Sequence, residues 1–409
     1  MKIHFQGKRT LEYIYCCVIT IYLVCAIAFE TTPNTAIFNT LAIYSTFLVG
    51  MLLILVNRNL KLNLYVASIY FLFTYIFLMS FAAGAASNVL TVYHYLTCAV
   101  LCYVVYYITF HYQNAIYYLV WGYVLGSLVL AYRIIQYYGG VSAMIDFAST
   151  STYHRVGGEI INENSLGLYM GGAVLSSIWL ILQSTKRRKL FCGILLPCVV
   201  VFALVVLLSG SKKAIAFLLI SVVALYLLYA RNASGGRKIL VILGLSVAIL
   251  LLFQAIRTLP FLGTINVRLE QLINTLTGEG PASDSDQLRL SVSQMGLEAF
   301  LASPLFGNGT GHSYILFGTY SHNNFVELLM NYGLIGFVAY YFPYSVLLFM
   351  LYNRTKRNDL IATYFLIYIV LQIALGIGWV NYYERVVQVI TAAAWGYVDH
   401  FRDKERGTS

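Results

Sequence analysis

Runs of about 20 apolar residues recur along nearly the whole chain, and a bilayer core about 30 Å thick needs about that many per spanning helix. With 60% of its 409 residues hydrophobic, 10% charged and a mean hydropathy of +0.75, the chain has more apolar surface than a soluble core of this length hides. The runs are continuous, which excludes the alternating pattern of a barrel strand. The sequence therefore reads as an all-α polytopic membrane protein, residues 1–409 forming one integral membrane domain of about twelve transmembrane helices.

Runs and polar breaks place these spans near 11–29, 35–56, 64–83, 89–110, 116–135, 165–183, 190–208, 214–230, 239–256, 324–350, 360–378 and 384–399. The basic start resembles a signal peptide. Its apolar run is too long, however, and ends in Glu30-Thr31-Thr32-Pro33 without a small-x-small cleavage site, so it is expected to stay as the first span.

Twelve spans put both termini on one side. That side carries 18 of the 26 Lys and Arg, including Arg58, Lys186 to Lys189 and Arg231, so the positive-inside rule makes the termini cytoplasmic. The formal charge of +10 is thus a topology signal, and nucleic acid is not an expected partner. Eight cations oppose the trend: Arg133, Arg155, Lys212, Lys213, Arg257, Arg268, Arg289 and Arg385. A cation near lipid that defies the topology bias is a functional candidate. The seven cysteines all lie in apolar runs without a C-x-x-C pair and read as small buried hydrophobes.

Two outer segments are long: a smaller external loop at 136–164 and a large one at 257–323, periplasmic or extracellular. In the large loop, Ile265 to Leu276 suggests an amphipathic helix, and Gln287 to Ala302 a second one behind the capping run Ser283 to Asp286. The turn FGNGTGHSY follows, whose glycines at 307, 309 and 311 imply tight turns or close approach to a ligand.

Three polar clusters carry chemistry. Tyr320-Ser321-His322-Asn323-Asn324 precedes the re-entering span; His322 is either a base for a hydroxyl or a headgroup-level residue beside a helix cap. Glu327 and Asn331 share one face of that span, while Gly333 and Gly336 suit helix packing. Ser209-Gly210-Ser211-Lys212-Lys213 suits a phosphate or diphosphate at a helix start, the alternative being lysines that snorkel to headgroups. Arg155-Val156-Gly157-Gly158-Glu159 with Asn162 and Asn164 suits sugar hydroxyls or an ordinary loop. Arg289 opens a helix, where a cation opposes the dipole and serves a ligand better than the helix. No Walker loop, H-E-x-x-H or G-x-S-x-G is present, and Asp284-Ser285-Asp286 reads as a cap, so neither metal nor cofactor is expected.

The order of an Arg289-led helix, Ser303-Pro304-Leu305-Phe306-Gly307-Asn308-Gly309, then Ser321-His322-Asn323-Asn324 and Leu328 to Gly336 resembles the bacterial O-antigen ligase and polymerase superfamily. The resemblance covers about fifty residues and implies a GT-C-like membrane glycosyltransferase. It implies a polyprenyl-diphosphate-linked oligosaccharide and membrane lipid as partners, with a chain-length regulator protein as a further one, in the bacterial plasma (inner) membrane. It implies His322 and Arg289 as catalytic residues, and Lys212, Lys213, Arg155, Asn323 and Glu327 as contacts to diphosphate or glycan. Ser211-Lys212-Lys213 stands where the family has an arginine-centred turn, and ammonium groups lack the guanidinium fork. The expected activity is polymerisation of repeat units into O-antigen or capsular polysaccharide. Ligation to a lipid core is the alternative, and a lipid-linked sugar flippase is the rival from another class.

Overall fold

The computed structural model describes residues 2–29, 36–57, 60–82, 89–151, 154–158, 160–230, 235–277 and 284–407. Glu30 to Pro33, Arg58, Glu159, Arg231 and Ser283, all singled out above, lie outside the described residues, as do the side chains of Asp284 to Asp286.

The chain is helical throughout, with no strand among the described residues. The helices are α1 (Lys2–Ala28), α2 (Ala36–Asn57), α3 (Leu64–Ala82), α4 (Val89–His111), α5 (Ala115–Tyr137), α6 (Val141–Ser149), α7 (Glu163–Gln183) and α8 (Arg188–Leu208). They continue with α9 (Lys212–Ala230), α10 (Gly235–Thr258), α11 (Gly263–Thr277), α12 (Asp284–Ala302), α13 (His312–Phe317), α14 (Asn324–Thr355), α15 (Leu360–Leu375) and α16 (Arg385–Glu405). Every expected span falls on a helix. Among the described residues eight are long and apolar enough to cross a membrane, or nine if the bent pair Ile249–Thr258 and Pro260–Gln271 is one span. The 99° bend of that pair falls at Leu259-Pro260, since Pro260 cannot donate to the preceding turn. The chain is a multi-pass all-α membrane protein.

Two compact units emerge, Met1–Ile19 with Leu41–Leu119 and Asp284–Ser409 as the first, and Thr20–Thr40 with Val120–Ser283 as the second. The expected external loop at 257–323 is therefore divided at Ser283: α11 belongs to the second unit, and α12 and α13 to the first.

In the first unit, α16 lies along α4, and α14 contacts α3, α12 and α15. Trp395 is fully buried and stacks on Tyr65 with ring centroids 5.5 Å apart. A Cβ on Gly396 would meet the backbone N of Phe110 at 2.9 Å, so only glycine allows this approach of α16 to α4. In the second unit, α7 packs on α8 and α9. Gly122 and Gly126 bring α5 against the end of α1, where a Cβ would stand 2.9 Å from Thr20 Cα and from the Leu23 carbonyl oxygen respectively. Close backbone approach of this kind drives helix association where lipid weakens the hydrophobic effect.

The expected continuous span at 324–350 is broken. Gly333 sits at φ 60° and ψ −163° inside α14, separating residues 324–332 from the rest. The turn after α12 fills the break: Asn308 N donates to Met330 O and Gly309 N to Asn331 O, both at 2.9 Å, and Leu334 N donates to Pro304 O at 2.9 Å. Gly333 therefore serves a backbone crossing and not the smooth helix packing that its spacing from Gly336 suggested.

Candidate functional site

In the first unit, the loop before α14 is built around Glu327, whose carboxylate is buried. Glu327 Oε1 accepts from Ser313 Oγ at 2.7 Å and Asn331 Nδ2 at 3.1 Å, and Oε2 accepts from Ser321 N at 2.8 Å. Asn323 Oδ1 caps α14 by accepting from Phe325 N at 3.0 Å and Val326 N at 3.3 Å. Both residues, expected as ligand contacts, thus spend these oxygens on holding the loop. Asn324 ties the same end of α14 to the turn after α15: its Oδ1 accepts from Asn381 N at 2.9 Å and Tyr382 N at 3.0 Å.

His322 stands between the two anchors at φ 60°, a conformation uncommon outside glycine. Its ring lies 4.1 Å from that of Tyr320, centroid to centroid. Burial raises the Tyr320 phenol above its ordinary value, and Tyr314 adds to this; Arg289 opposes it, while Glu384 and Glu327 reinforce it. Tyr320 therefore meets the His322 ring directly and feels the Arg289 charge. Burial also raises the Tyr383 phenol, with Glu384, Tyr314, Glu327 and Tyr320 adding to the effect. The sequence reading named Tyr320 but missed Tyr383 and Glu384 as members of this cluster. Tyr320 lay inside a motif already singled out, whereas Glu384 offered only its position beside Arg385.

In the second unit, Ser209-Gly210-Ser211 forms a buried turn ahead of α9. Gly210 takes φ 63°, and a Cβ there would stand 3.2 Å from Arg155 Cγ. Arg155 Nε donates to Ser209 O at 2.9 Å, its Nη2 to Asn164 Oδ1 at 3.0 Å, and Nη1 lies 3.4 Å from Glu163 Oε2. Arg268 Nη1, from α11, donates to Gly210 O at 3.0 Å. Two arginines thus brace the turn through its carbonyls, and half-buried Lys212 and Lys213 open α9 beside it. The structure gives Arg155 a positioning part in this cluster. Arg268 was visible in sequence only as a cation against the topology trend. Such a turn concentrates positive charge at a helix start, which favours an anion. Among the described residues no group of His, Cys, Asp and Glu could hold a metal ion.

The helices define a multi-pass membrane protein in which the first unit carries the histidine loop and the second unit the braced cation turn. Residues 197–341 match the family model described as O-antigen ligase, which supports the O-antigen ligase and polymerase superfamily as this chain's relationship. The match runs from inside α8 to inside α14, taking in Lys212, Lys213, Arg289, His322 and Glu327 and leaving out Arg155. It indicates a membrane enzyme of the O-antigen ligase or polymerase type. A search of curated proteins finds no match to the chain.

Proposed function

We propose that this chain polymerises lipid-linked polysaccharide repeat units, of O-antigen or capsule, in the bacterial inner membrane with both termini cytoplasmic. An acceptor sugar hydroxyl attacks the anomeric carbon of a glycan carried on polyprenyl diphosphate. The new glycosidic C–O bond forms as the bond to the diphosphate oxygen breaks. The hydroxyl proton passes to His322, and the diphosphate leaves with its charge stabilised by cations. Lys212 and Lys213, held on the turn that Arg155 and Arg268 brace, are assigned to that charge, as pre-placed donors at a developing anion give the largest electrostatic return. Arg289 is assigned to the glycan or diphosphate as the cation that the loop helix α12 carries.

The observation that carries this reading is the fixing of His322 between the Ser321–Glu327 hydrogen bond and the Asn323 cap. A base helps only when held within reach of its proton, and two anchors on adjacent residues provide that. The family match does not separate this from a second reading, ligation of finished glycan to a lipid core. Gene deletion separates them. A polymerase mutant displays single-repeat surface glycan, whereas a ligase mutant displays none and accumulates lipid-linked polymer; the second result would overturn the polymerase reading.

A further inference from the structure

Arg385 opens α16 in the first unit, a place where a cation meets the positive end of the helix dipole and gains nothing from it. Its Nη2 lies 2.7 Å from His94 Nδ1, and His94 Nε2 lies 3.0 Å from the Tyr383 carbonyl oxygen. A guanidinium only donates and a carbonyl only accepts, so His94 is the neutral tautomer with its hydrogen on Nε2. The imidazole fixes the guanidinium without offsetting its charge.

Three other partly buried arginines meet carboxylates, Arg155 facing Glu163, Arg354 facing Asp359 and Arg402 facing Asp399, while Arg268 meets a backbone carbonyl. Arg385 forms no ion pair among the described residues, and its Nε is buried without a hydrogen-bond partner. A cation kept at a membrane helix end against the dipole, with no anion of its own, is one that a ligand can satisfy. Its position suits this, because Asn324 pins the turn before it, at Asn381 and Tyr382, to the same end of α14 as His322.

We propose that Arg385 binds an oxyanion, the carboxylate or phosphate oxygens of a saccharide or lipid ligand, with His94 positioning its guanidinium. The binding is independent of glycan transfer, so its failure and that of the polymerase reading are separable.

The test uses the full chain in neutral detergent, following the thermal midpoint during titration with D-glucuronate, inorganic phosphate or neutral D-glucose. A parallel arm compares nanodiscs of phosphatidylcholine with and without phosphatidylglycerol. A ligand that binds only the folded state raises the midpoint. At least one anionic probe should do so while glucose does not, and Arg385→Gln should weaken that probe by about tenfold or more, as for loss of a charged hydrogen-bonding partner. A response to glucuronate places the anion on a saccharide, one to inorganic phosphate identifies a phosphate group, and one confined to phosphatidylglycerol identifies a lipid headgroup. His94→Phe should weaken the probe, and His94→Asn, whose carboxamide oxygen replaces Nδ1 as acceptor, should restore it. Silence from every anionic probe, or an unchanged titration in Arg385→Gln, overturns the proposal. Should Arg385→Gln not fold, Arg385→Lys keeps the charge but loses the fork, and unchanged affinity there overturns it equally.

Discussion

The Glu327 carboxylate accepts the backbone N–H of Ser321 at 2.8 Å, one residue ahead of His322. Its other oxygen receives Ser313 and Asn331, so one buried side chain fixes α13, the histidine loop and its own helix.

Glu327→Gln replaces one of two acceptor oxygens with an amide donor that faces an N–H or a hydroxyl. Hydrogen bonds to charged groups contribute about 1.5–3 kcal/mol each, so a lowered thermal midpoint and roughly tenfold less polymer are expected. Thermal melts of purified protein and glycan gels check this. Wild-type values in both would remove Glu327 from its positioning role.

Gly333 takes φ 60° against the carbonyl of Leu305, with Gly307 N 2.7 Å from where a Cβ would stand. Gly333→Ala must displace backbone and should sharply reduce folded protein. Gly193 has nothing within 4 Å of where a Cβ would stand and lies inside α8, where alanine is the better helix former by about 1 kcal/mol. Gly193→Ala should be neutral, and equal membrane abundance of the two variants would contradict the broken-helix geometry.

The braced turn separates support from chemistry. Arg155→Ala removes the bond to Ser209 O and should lower both stability and activity, while Arg155→Lys cannot reach Ser209, Asn164 and Glu163 together. Lys212→Ala leaves those bonds in place and should lower activity by one to two orders of magnitude, roughly, at normal abundance. Full polymer from Lys212→Ala, Lys213→Ala and Arg289→Ala alike would dismiss the anion assignment.

Topology follows from where the cations lie. Reporters fused at Lys189 and at Gly309 should report opposite sides, with Lys189 cytoplasmic, because the Lys186 to Lys189 run follows the positive-inside bias and α8, α9 and α10 separate it from Gly309. Both reporters on one side would reject the twelve-span arrangement.

The helices were legible because apolar runs of span length have one structural solution in lipid. The helices at 263–277 and 284–302 were legible from amphipathic spacing and the stop at Ser303-Pro304. The break at Gly333 was not, because its conformation is set by the turn at Pro304 to Gly309, whose crossing no local pattern announces. Likewise Arg155 and Ser209 stand 54 residues apart, so the brace depends on tertiary contact. The motif around His322 was readable as chemistry, but the parts of Glu327 and Asn323 in holding it follow only from which donors reach their oxygens.

His322 gives the sharpest test of the proposed transfer. Its neighbours on both sides are anchored through their own atoms, so truncating its ring leaves the Glu327 clamp and the Asn323 cap intact. Alanine at φ 60° is little worse than histidine, and the loss of protein should be small. A positioned base contributes about 10²–10⁴-fold, so His322→Ala should make almost no polymer at near-normal membrane abundance. His322→Gln can still hydrogen-bond an acceptor hydroxyl but is a poor base, so retained activity would indicate orientation and lost activity proton transfer. His312 is the control: burial lowers its basicity, and it opens the short α13 outside the anchored loop, so His312→Ala should keep most activity. Polymer length on a gel beside an immunoblot reads all three variants, and full-length polymer from His322→Ala would leave this residue as a helix-end neighbour without a part in the chemistry.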